Sequence, residues 1–280
     1  MNGISRRQFM GLAAAAFVGV SGITSAYLYL NDESETLTVE QVTLPIPNLH
    51  PALAGFTIVQ LSDIHLIPYT KPPFVAEVVA AANALNPDVT VLTGDYVWHE
   101  VEAMFELAPI IANLNARYGV FSVLGNHDLW TDVNVIKTGL REARIPLLVN
   151  QGIPISVGEG TLWLAGLDDG WAGSPDLDAS LEGMPTEATA VALYHEPDLA
   201  DDVAADGRVH LQLAGHSHGG QVRFEKTGAL ILPYLARKYD YGLYRVGEMW
   251  LYTNRGIGAT SIPIRVNCPP EITEITLARL

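Results

Sequence analysis

Five short runs gather side chains able to bind metals or move protons: Asp63-x-His65, Gly94-Asp95, Gly125-Asn126-His127-Asp128, His195 alone, and Gly215-His216-Ser217-His218. Each has an ordinary reading by itself, since Gly-Asp and Gly-Asn are turn dipeptides and a histidine after a strand is usually a satisfied polar residue. As an ordered set they suit the hydrolysis of a phosphate ester. That reaction needs neutralised phosphoryl oxygens, a nucleophile available near neutral pH, and a proton for the leaving oxygen. Two divalent ions about 3.5–4 Å apart supply the first two requirements. Asp, Asn and His are hard-to-borderline ligands, and a carboxylate has an oxygen for each ion of a pair. At an extended strand end, residues two apart point to one side, so Asp63 and His65 are expected to meet one metal, and His216 and His218 share that spacing.

These runs must be delivered by rigid elements. From Phe56 onward short apolar runs alternate with helical patterns, which predicts an α/β fold with its functional residues where strands end. Strands are expected at Phe56–Leu61, Val89–Leu92 and Gly119–Leu124, each stopping at one of the motifs. Helices are expected at Pro72–Leu85, about Val101–Leu114 and about Val133–Ala143. The second half reads as strand-rich, with runs at 161–165, 190–194, 209–213, 221–224, 243–246 and 249–253. Two packed sheets accommodate that many strands.

The ordered set, with its surroundings from Phe56 to about Gly256, resembles the calcineurin-like metallophosphoesterase superfamily. The resemblance implies a four-layer α/β/β/α sandwich of two packed mixed sheets over residues 31–280. It also implies two divalent metal ions, manganese, iron or zinc. Asp63, His65 and His218 would hold the first metal, Asn126, His195 and His216 the second, and Asp95 would bridge them. His127 would protonate or stabilise the leaving oxygen, and Asp128 would orient the His127 imidazole. Many relatives carry an acidic residue three positions after the Gly-Asp aspartate; here Trp98 stands there, either an apolar wall to the substrate entrance or a buried aromatic. Arg255 is read as a phosphate contact or a salt bridge, and Asp168-Asp169-Gly170 as a turn or a neighbour of the metals.

The N-terminal 30 residues read as a separate targeting segment. Ser5-Arg6-Arg7-Gln8-Phe9 runs into an uncharged stretch ending at Leu30, which resembles a twin-arginine signal or an N-terminal membrane anchor. The resemblance implies the twin-arginine translocase as a partner, possible membrane association, and a location in the periplasm or on the outer face of the cell membrane. A net charge of −15 speaks against gripping a nucleic-acid backbone, so no nucleic-acid partner is expected. The partner implied is a phosphate-ester substrate, envelope polymer or lipid head group among them, cleaved as a phosphodiester. The alternatives are a UDP-2,3-diacylglucosamine pyrophosphatase-like enzyme and a non-catalytic scaffold on the same fold. Cys268, the single cysteine, has no His or Cys at zinc-ligand spacing and reads as structural.

Overall fold

A computed structural model describes residues 27–261 and 263–280. Its elements run β1 (Thr38–Ile46), β2 (Thr57–Leu61), α1 (Pro72–Ala84), β3 (Val89–Leu92), α2 (Met104–Ile111), β4 (Val120–Ser122), α3 (Asn126–Trp130), α4 (Val133–Glu142), β5 (Gln151–Val157), β6 (Gly160–Gly166), α5 (Leu177–Ser180), β7 (Thr189–Leu193), α6 (Ala200–Asp206), β8 (Leu211–Ala214), β9 (Arg223–Phe224), β10 (Gly228–Ala229), β11 (Gly242–Val246), β12 (Met249–Thr253) and β13 (Glu271–Arg279).

Two mixed sheets pack face to face. The first has the order β1-β13-β2-β3-β4 and the second β11-β12-β8-β7-β6-β5, with β9 and β10 forming a separate small hairpin. In the first sheet β2, β3 and β4 are parallel, while β13 runs antiparallel to β2 and parallel to β1. Parallel strands covered on both faces need apolar residues throughout, and all four residues of β3 are buried. Side-chain alternation splits them between two cores. Ile58, Val89 and Val91 meet Leu164, Val191, Leu193 and Leu213 between the sheets. Val59, Leu61 and Leu92 pack outward against Val78, Leu107, Ile111 and Leu140 of α1, α2 and α4. The outer face of the second sheet is covered more thinly, by Leu181 and by Ala200 and Val203 of the short α6. The four expected layers are therefore present, the last being the slightest.

The sheets are also pinned by a buried polar link at the end where the motifs gather. Gln60, on β2, donates to the Thr93 hydroxyl and to the Ala214 carbonyl at the end of β8, both at 2.9 Å. The loops beyond the strands continue the pairing, with Asp63 N–H to Gly94 O at 3.0 Å and Gly215 N–H to His195 O at 3.0 Å. Four strands lie outside the predicted set: β1, β5, the two-residue β10 and β13. Residues 1–26, which carry most of the expected signal, lie outside the described residues. Among the described residues, no helix is long and apolar enough to cross a membrane.

Candidate metal centre

The loops after β2, β3, β4, β7 and β8 meet at one end of the sandwich, where the carboxyl ends of parallel strands in both sheets form a crevice. Two buried triads stand there, Asp63 with His65 and His218, and Asp95 with His195 and His216; within each the donor atoms lie within 4.8 Å of one another. His65 and His218 bring their Nε2 atoms to 3.1 Å, and Asp63 Oδ1 lies 3.3 Å from His218 Nε2. Asp95 joins the triads, its Oδ2 standing 3.3 Å from His65 Nε2 and 3.2 Å from His195 Nε2. Asn126 is buried beside them, with its Oδ1 left without a hydrogen-bond partner, as is His195 Nε2. Unpartnered buried acceptors are costly, and a cation at these points would satisfy both. The donor set and its orphaned atoms therefore fit a binuclear metal centre.

The backbone reaches this arrangement by a route the spacing alone did not predict. Asp63, His65, Asp95, His216 and His218 all have positive φ, between 43° and 68°. The expected extended strand end is thus corrected: the ligand-type residues sit in successive left-handed turns just past their strands. His216 and His218 consequently face different triads rather than a common point. Such backbone costs on the order of 1–3 kcal/mol per residue and persists only where the surroundings enforce it. Here the enforcement includes the His216 N–H, which donates to both Asp63 oxygens at 3.1 and 3.0 Å. Two motif glycines are there for room. A Cβ on Gly125 would strike the Asp95 carboxylate and the His195 ring, and one on Gly215 would strike Ser62 and Asp63.

In the triad of Asp95, the outer nitrogens of both histidines are fixed by backbone carbonyls. His195 Nδ1 donates to Thr93 O at 2.6 Å and His216 Nε2 to Tyr234 O at 2.7 Å, which leaves the other nitrogen of each ring as the candidate ligand atom. Electrostatics divides the pairs. Burial resists charge on both aspartates, but the facing histidines, His218 for Asp63 and His195 for Asp95, hold them well below the usual carboxylate range. Burial likewise opposes a charge on His65, yet Asp63 and Asp95 lift it to about 9, and His195 is raised in the same way. His216, pressed by burial and by His195, falls to about 4, and burial lowers His218. Without metal, one proton per triad stands where a cation belongs.

His127 and Asp128 part company. The His127 ring lines the cavity, with Nδ1 3.3 Å from the Trp98 carbonyl, and burial together with the charge on His65 brings it down to about 4 against the pull of Asp95. Asp128 does not orient that imidazole. Its carboxylate accepts the backbone N–H groups of Asp95, Tyr96 and Gly125, each at 2.9 Å, and so ties the loop after β3 to the loop after β4. The direction of a side chain at the start of a short helix decided this, and α3 turns Asp128 inward while His127 faces the cavity. Arg255 is a salt-bridge residue, paired with Glu271 and, at 2.6 Å, with Glu40. Asp169 is a turn anchor, its Oδ1 accepting the Trp171 N–H at 3.0 Å.

The cavity over the triads encloses about 600 Å³ and includes three tryptophans, Trp98, Trp130 and Trp171. Trp130, Trp171 and the Tyr234 carbonyl were not singled out from the sequence. An aromatic outside a motif carries no spacing signal, and a carbonyl partner carries no residue-type signal at all.

Comparison with known proteins gives one family. The family model for calcineurin-like phosphoesterases matches residues 56–220. An uncharacterized metallophosphoesterase of Bacillus subtilis, YkuE, is 32% identical over 99% of this chain and 99% of its own length. The phosphodiesterase YaeI of Escherichia coli is 30% identical over 98% of this chain and 99% of its own. Among solved structures, the sulfate thiohydrolase SoxB of Thermus thermophilus matches with a TM-score of 0.51 at 12% identity, over 82% of this chain and 57% of that one, a likeness of fold alone.

Proposed function

From the premise that this chain belongs to the calcineurin-like phosphoesterase family and is a metal-dependent phosphoesterase, we propose that it hydrolyses phosphodiesters on the extracytoplasmic side of a bacterial envelope. The observation that carries the hydrolytic reading is Asp95, whose one carboxylate reaches the histidines of both triads. The 30% identity to a phosphodiesterase along nearly the whole of both chains supports the diester preference. The paired Arg6 and Arg7 ahead of an uncharged run support export by the twin-arginine route, with the segment cleaved or kept as an anchor.

Asp63, His65 and His218 would hold one metal, and Asn126, His195 and His216 the other, with Asp95 shared. Bound there, two divalent ions supply charge neutralisation for the phosphoryl oxygens and a nucleophile near neutral pH. The chain's own groups do the rest. Thr93 and Tyr234 fix the tautomers of His195 and His216 through their carbonyls. Asp128 holds the Asp95 and Asn126 loops in register. His127 keeps its Nδ1 hydrogen on Trp98 O, so Nε2 is the atom that takes up a proton, and it is the protonated imidazolium that gives this proton to the departing oxygen and returns to the neutral ring. Trp98, Trp130 and Trp171 wall the cavity above the triads.

The test is elemental analysis of protein purified without a metal-affinity tag, paired with hydrolysis of bis-p-nitrophenyl phosphate and p-nitrophenyl phosphate before and after chelation. Near-stoichiometric binuclear loading with chelator-sensitive diester cleavage is expected. Metal-free protein that stays inert after reconstitution would favour the scaffold.

A further inference from the structure

Beyond the metals, the cavity has an unusual wall. Aromatic rings follow one another around its mouth: Trp98 to His127 at 4.3 Å, His127 to Trp130 at 4.9 Å, Trp130 to Trp171 at 4.7 Å, and Trp171 to Tyr234 at 5.5 Å between centroids. Trp130, Trp171 and Tyr234 are 51%, 41% and 55% exposed, and Ile231 beside them is 68% exposed. A contiguous apolar surface of this kind on a soluble face marks a binding site more often than a passive one. It is also held in place. Buried Asp169 takes the N–H of Trp171 and buried Glu196 the N–H of Gly170 at 2.8 Å, while Asp198 takes the N–H groups of Arg237, Lys238 and Tyr239 just beyond Tyr234. Exposed rings fixed by such anchors bind without a large ordering cost.

Two features say what fits. Among the described residues lining the cavity there is no lysine or arginine. No cationic side chain of that lining is therefore there to pair with a second phosphate or a carboxylate, and a net charge of −15 disfavours polyanions further. The successive rings from His127 to Tyr234 cross at 67°, 78° and 70°. No two successive rings here are parallel, so they leave no slot to sandwich a flat base or phenyl group, and the corrugated apolar wall they make can be followed by a flexible hydrocarbon chain.

We propose that Trp130, Trp171, Tyr234 and Ile231 form a subsite for an alkyl or acyl chain, so that the substrate is a singly charged phosphodiester bearing one such chain. This rests on the phosphodiesterase reading and deepens it. The chain lies along the aromatic arc while the phosphoryl group sits over the two triads, and the four residues act on specificity rather than on the bond that breaks.

The test uses the metal-loaded full chain and p-nitrophenyl alkyl phosphates with methyl, butyl and octyl groups, kept below their aggregation concentrations, with p-nitrophenyl phenyl phosphate as the planar competitor. The expected result is a kcat/KM that climbs with chain length, by up to about fourfold per methylene taken into the cavity. The octyl-to-methyl ratio should fall in Trp171→Ala and in Ile231→Ser. Independently of turnover, the monomethyl ester of octylphosphonate should move tryptophan emission to shorter wavelength, less so in Trp171→Ala. A flat chain-length profile with active methyl hydrolysis, or preference for the phenyl ester over the octyl, overturns the chain subsite and leaves the diesterase intact. No cleavage of any diester by metal-loaded protein overturns both.

Discussion

The ring nitrogens of His65 and His218 face each other across 3.1 Å inside a fully buried pocket, with Asp63 Oδ1 closing the triangle at 3.3 Å from the second. Two imidazole nitrogens that close share one cation more readily than they face each other bare. His218→Ala should therefore lower metal content toward one ion per chain while leaving the Asp95, His195 and His216 triad able to bind. Elemental analysis after dialysis against limiting metal reads this; full binuclear loading of the variant would contradict the grouping.

Asp95 differs because it reaches both triads. Asp95→Ala should lose both metals and activity together, and a variant that keeps full loading would remove Asp95 from the centre.

The pH response of the chelated protein follows from His65. Its folded value of about 9 lies above the ordinary 6.5 because Asp63 and Asp95 hold its proton against burial. A raised folded pKa gives stability that is complete below the unfolded value and lost as pH climbs through the folded one. The chelated protein should thus lose about 3 kcal/mol between pH 6.5 and pH 9 from this group. Metal displaces that proton, so the loaded protein should lose less over the same window, and metal binding at pH 7 should release protons. Thermal unfolding against pH and titration in buffers of different ionisation enthalpy measure the two effects.

His127→Ala should keep metal and reduce turnover by about 10²–10⁴-fold, most for esters with poor leaving groups. Comparing p-nitrophenyl with unactivated alkyl leaving groups decides it; equal losses on both would take His127 out of proton transfer.

Asp128→Asn should act through the backbone. An amide accepts with one oxygen only and turns its NH2 toward a backbone N–H, so the variant should lose about 1–3 kcal/mol and bind metal more weakly. The pH profile of residual activity should keep its shape, because the His127 tautomer is set by Trp98 O.

Replacing Arg6 and Arg7 by Lys should retain the protein in the cytoplasm. Fractionation of cells expressing the variant checks this, and undiminished export would point to another route.

The motif loops and the strands feeding them were legible because a loop that carries His, Asp and Asn must end an apolar run, and β3 matches its expected limits of Val89–Leu92. What escaped was governed by context. β5 carries Gly152 and Pro154 inside it, tolerated because it is an edge strand, and β1, also an edge, alternates exposed Val39, Gln41 and Thr43 with half-buried Thr38, Glu40 and Val42. β13 lies beyond the span of the motifs. At the site, residue types pointed to Asp128 but not to the backbone donors it serves. The left-handed turns at Asp63, His65 and His216 have only a weak signature in residue type, since Asp and His adopt that region more often than most side chains but still rarely, so tertiary contacts decide which of them do.

β13 is the last strand in chain order, yet it lies inside its sheet, with Thr38 opposite Glu271 on one side and Gln60 opposite Thr273 on the other. The partner strands must wait for it. Until residues 271–279 arrive, β1 and β2 each present an open edge, a template for pairing with other chains. Closing the sheet spans more than two hundred residues of intervening chain, and contacts that distant in sequence slow folding. The loop bearing Asp63 and His65 follows directly from β2, so the binding pocket matures only after residues 271–279 have been made and paired. Loss of the final strand would therefore be felt first as aggregation and only second as missing catalysis.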